Sequence, residues 1–423
     1  MASNVPVEKN GPHIVVLGGG VIGLSTVSAL LCSNAEIVSQ LRITVVAKDF
    51  SPNTTSGMFQ PWDDASQFRS QHVLTFLPLS LFSCFTVDVA GGLWLPYKAT
   101  HADLSRWCSE TLDWLIYLRE KGTLPLHPSV RGSTGENDRN PFRVSLVDGV
   151  SYEATKVIAE ERAAWESVLK EAVKRVPISE LPFVPKNANE CFILPKLPLV
   201  TTSQYLQYMR KELSSTGRVQ FVIDKDITKI EQVASKYQAD AVVNCTGLGS
   251  RDLLQDSTVV PVRGCLLSLE LPPEIKQKLN GRVFIFDDNP SGLTYILPRE
   301  DACHVGGTYL PNQWDTGMND EEQDTILNRA IATVPELAQG KIIKRRAGLR
   351  PSRPEIRIER DLSVSSTQGG SFCSKPMFFH NYGHGGSGWT VHWGCALTTA
   401  KLVLNSLVEE STGKVNAFPK AKL

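Results

Sequence analysis

The chain has 423 residues, 42% hydrophobic and 21% charged, and its 44 Lys+Arg balance 44 Asp+Glu to a formal net charge of zero. That length supports two domains with well-filled cores, and the charge balance argues against nucleic acid or an anionic membrane surface as partner. Nine cysteines are scattered without a CxxC pair, which predicts reduced thiols rather than a disulfide framework or a metal site, and no apolar run reaches the roughly 18 residues of a membrane span.

His13–Leu17 (HIVVL) suits a buried parallel strand and Leu24–Leu31 a helix. Between them Gly18, Gly19, Gly20, Val21, Ile22 and Gly23 spell G-x-G-x-x-G, the strand-to-helix context of a dinucleotide fingerprint. Gly18 permits the tight turn, Gly20 lets a diphosphate approach the backbone, and Gly23 lets helix and strand pack closely. The helix amino terminus then offers free N–H groups to the anion. The alternative is a glycine-rich turn with no ligand. Arg42–Ala47 reads as the second strand, ending in Lys48-Asp49, where an acidic residue binds the adenosine ribose or is simply a solvated charge. Thr54, Thr55 and Ser56 follow as diphosphate ligands or turn residues. The fingerprint alone does not separate NAD from FAD.

Further along, Tyr152–Val176 and Ser203–Ser214 read as helices, and Asp240–Asn244 as a buried strand leading into Cys245-Thr246-Gly247. Alternation in Gly264–Leu271 and Leu293–Leu297 suits an antiparallel sheet roofing a substrate. Gly348-Leu349-Arg350-Pro351-Ser352-Arg353-Pro354 forms a distinct motif. After the apolar Met377-Phe378-Phe379 comes a glycine-rich stretch from Gly383 to Gly394, then helical periodicity over Ala396–Leu407. So many glycines bring backbone close to something. The expected fold class is α/β: a Rossmann-like cofactor domain (11–97, 198–261 and 345–410) with a second α+β substrate domain (98–197 and 262–344) on a mixed or antiparallel sheet. Residues 411–423 read as a flexible tail ending Ala421-Lys422-Leu423, a close variant of the Ser-Lys-Leu peroxisomal address.

Taken together these pieces resemble the D-amino-acid oxidase family, which includes the D-aspartate oxidases, and within it the fungal peroxisomal type. The resemblance runs through the fingerprint, Ala47-Lys48-Asp49, Val89-Ala90-Gly91-Gly92-Leu93-Trp94, Asn244-Cys245-Thr246-Gly247, Arg263-Gly264, Gly306-Gly307-Thr308-Tyr309, Gly348-Leu349-Arg350-Pro351, and the glycine run with His392-Trp393-Gly394. It implies FAD as cofactor and a D-amino acid and dioxygen as substrates. By the same resemblance hydride passes from substrate Cα to flavin N5, yielding a 2-oxo acid, ammonia and hydrogen peroxide, with no residue as general acid or base. Arg350 matches the arginine that clamps the substrate carboxylate, Tyr295 the tyrosine that assists it, and Gly386 the glycine whose carbonyl accepts the amine. Arg353 reads as a structural ion pair. For the flavin the resemblance implies Gly19, Val21, Ile22 and Ser25 at the phosphate turn, and Lys48 and Asp49 at the ribose. It also implies Thr54, Thr55 and Ser56 at the diphosphate, Gly92 and Leu93 near the ring, and Ile227 at the adenine. Gly385, Gly388, Trp389 and Thr390 would contact the isoalloxazine. A peroxisomal import receptor is the partner implied for the tail, and a homodimer is compatible with the family.

Two departures stand out. Ser291 replaces the lid tyrosine of the mammalian enzymes, and Asp288 and Tyr309 stand where D-aspartate oxidases carry additional arginines; an aspartate at the first would repel an acidic side chain, which favours neutral or basic D-amino acids over D-aspartate. Residues 57–87 interrupt the family pattern and end in the Leu-, Ser-, Phe- and Cys-rich LPLSLFSCFT. They read either as a translated intron or as a genuine loop beside the diphosphate site, and the first reading would leave an inactive chain if it blocks FAD.

Overall fold

The uninterrupted apolar run at His13–Leu17 becomes β1, with all five residues buried, as a strand covered on both faces of a parallel sheet requires. This computed structural model describes residues 11–50, 90–130, 138–153, 168–169, 172–181, 183–279, 281–288, 292–364, 372–373 and 375–412. β2 (Arg42–Ala47) pairs parallel to one side of β1 and β7 (Ala241–Asn244) to the other. With β6 (Val219–Ile223) beyond β2 and β14 (Met377–His384) beyond β7, five parallel strands lie in the order β14-β7-β1-β2-β6. Helix α1 (Val21–Cys32) leaves β1 through the fingerprint. There Gly18 has φ +111°, and a Cβ on Gly23 would overlap the Gly18 carbonyl oxygen, so neither position tolerates a side chain.

The second half is built on β3 (Val144–Glu153), β4 (Lys174–Arg175), β5 (Glu190–Val200), β8 (Val260–Glu270), β9 (Arg282–Asp288), β10 (Gly292–Pro298), β11 (Cys303–Gly306) and β12 (Leu310–Pro311). Its order is β4-β5-β3-β9-β10-β11-β8, with β12 on β8. Every pairing is antiparallel except that of β3 with β9. This is the expected mixed, mainly antiparallel sheet. The two halves are continuous, because the 21-residue β13 (Lys341–Asp361) pairs with β8 up to Ser352 and with β14 from Ser352 to Asp361.

Helices cover both faces: α2 (Leu104–Lys121), α3 (Thr202–Ser215), α4 (Ile230–Tyr237), α5 (Ser250–Leu253), α6 (Pro273–Leu279), α7 (Asp320–Thr333) and α8 (Gly388–Thr412). α7 starts at a capping box formed by Asn319 and Glu322. Although α2 falls in the segment expected for the substrate domain, its buried face packs on α8. Trp114 stacks on Trp393 with ring centroids 3.4 Å apart. Among the described residues no helix is long and apolar enough to cross a membrane, and the described cysteines are free thiols.

One expected element is corrected. Tyr152 and Glu153 complete β3, and Lys174 and Arg175 form β4, so Tyr152–Val176 is not a single helix. Between those strands only Val168, Leu169, Ala172 and Val173 are described, and of these Val168 and Leu169 are α-helical. Tyr152 pairs with Cys191 in the β3–β5 ladder, and ladder pairing with ring burial overrides the local helical periodicity.

Helices α2 and α8 approach so closely at Gly394 that a Cβ would overlap the Trp107 backbone. Gly394→Ala is therefore expected to cost about 1–3 kcal/mol, read as a lower thermal midpoint of the holoprotein; an unchanged midpoint would refute this tight crossing.

Candidate active site

Open α/β sheets bind ligands beyond the carboxyl ends of their strands, and a cavity of about 810 Å³ lies there. It begins beyond β1 and β2, passes Gly92 and Leu93, and ends against β10, β13 and the turn before α8. At its first end Gly18, Gly19, Gly20, Val21 and Ile22 form the wall, joined by Lys48, Asp49 and Ile227. No side chain caps the start of α1 at Gly20, so its first N–H groups are available to an anion. Asp49 Oδ1 is buried without a hydrogen-bond partner. A buried carboxylate oxygen left unpaired is costly, and a ribose hydroxyl would supply the missing donor. The donors and the acceptor present therefore fit a dinucleotide.

The middle of the cavity is a strap. Gly92 has φ +75°, and a Cβ there would overlap the Val200 carbonyl oxygen. Leu93 bridges to Leu199, and Trp94 N–H donates to Pro198 O at 2.8 Å. Arg299, buried beside Asp301 with N···O 2.7 Å, donates from Nη1 to Ala90 O at 3.2 Å and Gly91 O at 3.4 Å. His304 lies 3.3 Å from Asp301. Burial pushes its imidazole down to about 4 against the opposing pull of Asp301.

The far end brings Arg350, Tyr295 and Gly386 together. Arg350, on β13, donates from Nη1 to Thr308 O at 3.0 Å. Its guanidinium fills the space where a Cβ on Gly264 would stand. Tyr295, on β10, lies against Gly306 and Gly307, neither of which leaves room for a Cβ. Burial raises the Tyr295 phenol, and the positive charge of the Arg350 guanidinium opposes that rise. A Cβ on Gly386 would sit 3.5 Å from Arg350 Cδ and 3.2 Å from Tyr97 Cδ1. Gly385, Gly388 and Trp389 complete this wall. His384 also lines it; burial pushes its imidazole down to about 3, and its Nε2 has no partner.

Several expected residues lie elsewhere. Gly23, Ser25 and Thr390 do not line the cavity. Gly23 packs on Gly18, and Ser25 Oγ meets His392 Nδ1 at 2.8 Å. Thr390 Oγ1 donates to Leu95 O at 2.8 Å and accepts from Leu95 N at 3.2 Å. These two hydroxyls brace the wall rather than form it. Thr54, Thr55, Ser56, the 57–87 segment, Ser291 and Ala421-Lys422-Leu423 are outside the described residues. Asp288 ends β9 opposite Gly292. Tyr97, Lys98, Thr246, Asn381, Tyr382 and His384 were not anticipated as cavity residues. Their signal was position: Tyr97 and Lys98 follow directly on the Gly91-Gly92-Leu93-Trp94 motif, and His384 sits inside the glycine run.

A parallel nucleotide half with its fingerprint, joined to a sheet that presents an arginine and a tyrosine across one elongated cavity, defines a cofactor-dependent oxidoreductase. The chain belongs to the family described as FAD dependent oxidoreductase (DAO), which it matches over residues 13–402. It is 30% identical over 403 residues to a D-amino-acid oxidase of Streptomyces coelicolor, covering 95% of this chain and 99% of that one. To a D-aspartate oxidase of Homo sapiens it is 28% identical over 396 residues, covering 92% and 94%. Among solved structures, the glycine oxidase of Bacillus cereus superposes with a TM-score of 0.62 at 15% identity, over 93% of this chain and 95% of that one. FAD is the cofactor of this family.

With Asp49 as a ribose acceptor, Asp49→Ala is expected to weaken FAD binding by about tenfold, the loss of one charge-assisted hydrogen bond. Titrating apoprotein with FAD and following fluorescence quenching measures this; unchanged affinity would remove Asp49 from the ribose site.

Proposed function

We propose that this chain oxidises D-amino acids to 2-oxo acids and ammonia, with dioxygen reduced to hydrogen peroxide. The observation that carries the reading is the convergence of Arg350, Tyr295 and Gly386 at the end of the cavity opposite the fingerprint. A guanidinium with a phenol beside it matches the two oxygens of a carboxylate, which an ammonium does less well. The Gly386 carbonyl, at the same end, suits the substrate ammonium. Two fixed contacts on one tetrahedral carbon leave its hydrogen with a single direction, so these residues act by orientation. FAD, when bound, supplies the two-electron acceptor and returns the electrons to dioxygen. The substrate Cα–H bond breaks with loss of hydride, the Cα–N bond becomes an imine, and water hydrolyses that imine to the 2-oxo acid and ammonia. The Streptomyces coelicolor relative named D-amino-acid oxidase supports this substrate class.

The test is peroxide release from FAD-loaded protein over paired D- and L-amino acids. Turnover is expected for D enantiomers, and equal turnover of L enantiomers would sink the proposal. Arg350→Leu is expected to lower kcat/KM for D-alanine by about 10²- to 10³-fold, because it removes a desolvated carboxylate partner. The rival reading, an inactive chain blocked by residues 57–87, predicts colourless protein that binds FAD only when that segment is deleted.

We also propose residence in the peroxisome matrix through an import receptor that reads Ala421-Lys422-Leu423; a peroxide-forming reaction suits that compartment. A fluorescent protein carrying residues 411–423 at its carboxy terminus is expected in peroxisomes, and diffuse once the last three are removed. Diffuse fluorescence of the intact fusion would overturn the address.

A further inference from the structure

The geometry points to Lys98 as the receptor for a side-chain carboxylate, which makes acidic D-amino acids preferred substrates; this rests on the D-amino-acid reading above. Lys98 is exposed yet lines the cavity. Its backbone has φ +46°, a left-handed conformation that a residue with a Cβ adopts only when its surroundings hold it there. The side chain is held too. Its Nζ lies 4.1 Å from the centroid of the Tyr309 ring and 5.3 Å from that of Tyr97, two rings that meet edge to face at 6.1 Å.

Both rings tie Lys98 to the Arg350 end. Tyr309 follows Thr308, whose carbonyl accepts from Arg350, and the Tyr97 ring lies 3.2 Å from the position of a Cβ on Gly386. Aromatic faces position an ammonium without neutralising it. Among the described residues no carboxylate forms an ion pair with Lys98, and Glu355 instead lies 3.9 Å from His101. A substrate whose α-carboxylate is on Arg350 therefore meets a second, unneutralised cation at the mouth. The expectation of neutral or basic substrates rested on the missing arginines at Asp288 and Tyr309 and on repulsion by Asp288, which ends β9 opposite Gly292. Tyr309 instead supplies the ring face on which a cation from another segment sits.

The test uses FAD-loaded full-length protein with D-glutamate, D-aspartate and D-alanine, comparing wild type with Lys98→Met, Lys98→Arg and Lys98→Glu. The ratio of kcat/KM for the better acidic substrate to that for D-alanine is expected to fall about tenfold in Lys98→Met and further in Lys98→Glu. It is expected to persist in Lys98→Arg, and to decline with ionic strength only where a cation is present. A ratio unchanged within about twofold in Lys98→Met and Lys98→Glu overturns the assignment. So does an equal loss in Lys98→Arg, which would make the position one of shape rather than charge. A second readout needs no turnover: perturbation of the flavin spectrum by succinate against propionate. A Lys98-dependent advantage for the dicarboxylate is expected, and its absence refutes the inference. Failure to oxidise any D-amino acid would refute the parent reading instead, while the succinate titration would still report on Lys98.

Discussion

The structure depends on one strand being hydrogen-bonded into both halves of a continuous sheet. β13 runs antiparallel to β8 through Pro351↔Pro261 and Ser352↔Val260, and Ser352 also opposes His384 of β14. Arg350 therefore stands two residues before the point where the substrate sheet hands over to the nucleotide sheet. Its position relative to the glycine turn before α8 is fixed by ladder hydrogen bonds rather than by side-chain packing. Tyr295 is reached from Arg350 through β8, β11 and β10, again by continuous register. Since a one-residue slip moves every side chain to the opposite face, the arginine–tyrosine pair and the sheet stand or fall together.

Charge beyond the cavity secures the same crossing. Arg353, read from sequence as a structural ion pair, meets Asp256 at 3.1 Å. The Tyr382 hydroxyl donates to the same carboxylate at 2.7 Å, and Arg357 donates to Tyr382 Oη at 2.8 Å. Burial would raise the Asp256 carboxyl, but hydrogen bonds from Thr258, Tyr382 and Arg353 outweigh it and hold the group at about 2. Because Tyr382 lies on β14 and Arg353 and Arg357 on β13, this network closes the irregular stretch where the register shifts between Ser352 and Arg357. A network in which each member has several partners is worth more than an isolated surface pair.

What was legible in the sequence follows from how local the physics is. β1 and β2 were read with their observed bounds because buried parallel strands are written as apolar runs between turn residues. The fingerprint was legible because its glycines answer contacts within a single strand-turn-helix unit. β13 was not read as a strand: its first residues, KIIKRR, and its last, RIERD, alternate weakly, and its stability comes from two partners remote in sequence. The helical reading of Tyr152–Val176 failed for the same reason, since Tyr152 answers to Cys191 and Phe286 rather than to its helical neighbours. In the site, Arg350, Tyr295 and Gly386 were found through motif resemblance. Lys98 was not, because its role depends on rings from two segments that only the fold brings together.

The interruption at residues 57–87 can be weighed by asking what holds its flanks. Before it, Phe50 packs edge to face on Phe221 with centroids 5.4 Å apart, and its ring fills the space beside Gly19. After it, Ala90 and Gly91 are held through their carbonyls by Arg299 from the substrate sheet. Each flank is thus anchored to a different part of the fold, and neither anchor needs the other. Lengthening the connection several-fold then costs only loop-closure entropy, about 1–2 kcal/mol because that cost grows with the logarithm of length. Such a cost is small beside the ladder and core contacts that set the two sheets. The anchors on the two flanks, at Phe50 and at Ala90-Gly91, therefore do not depend on the length of chain between them.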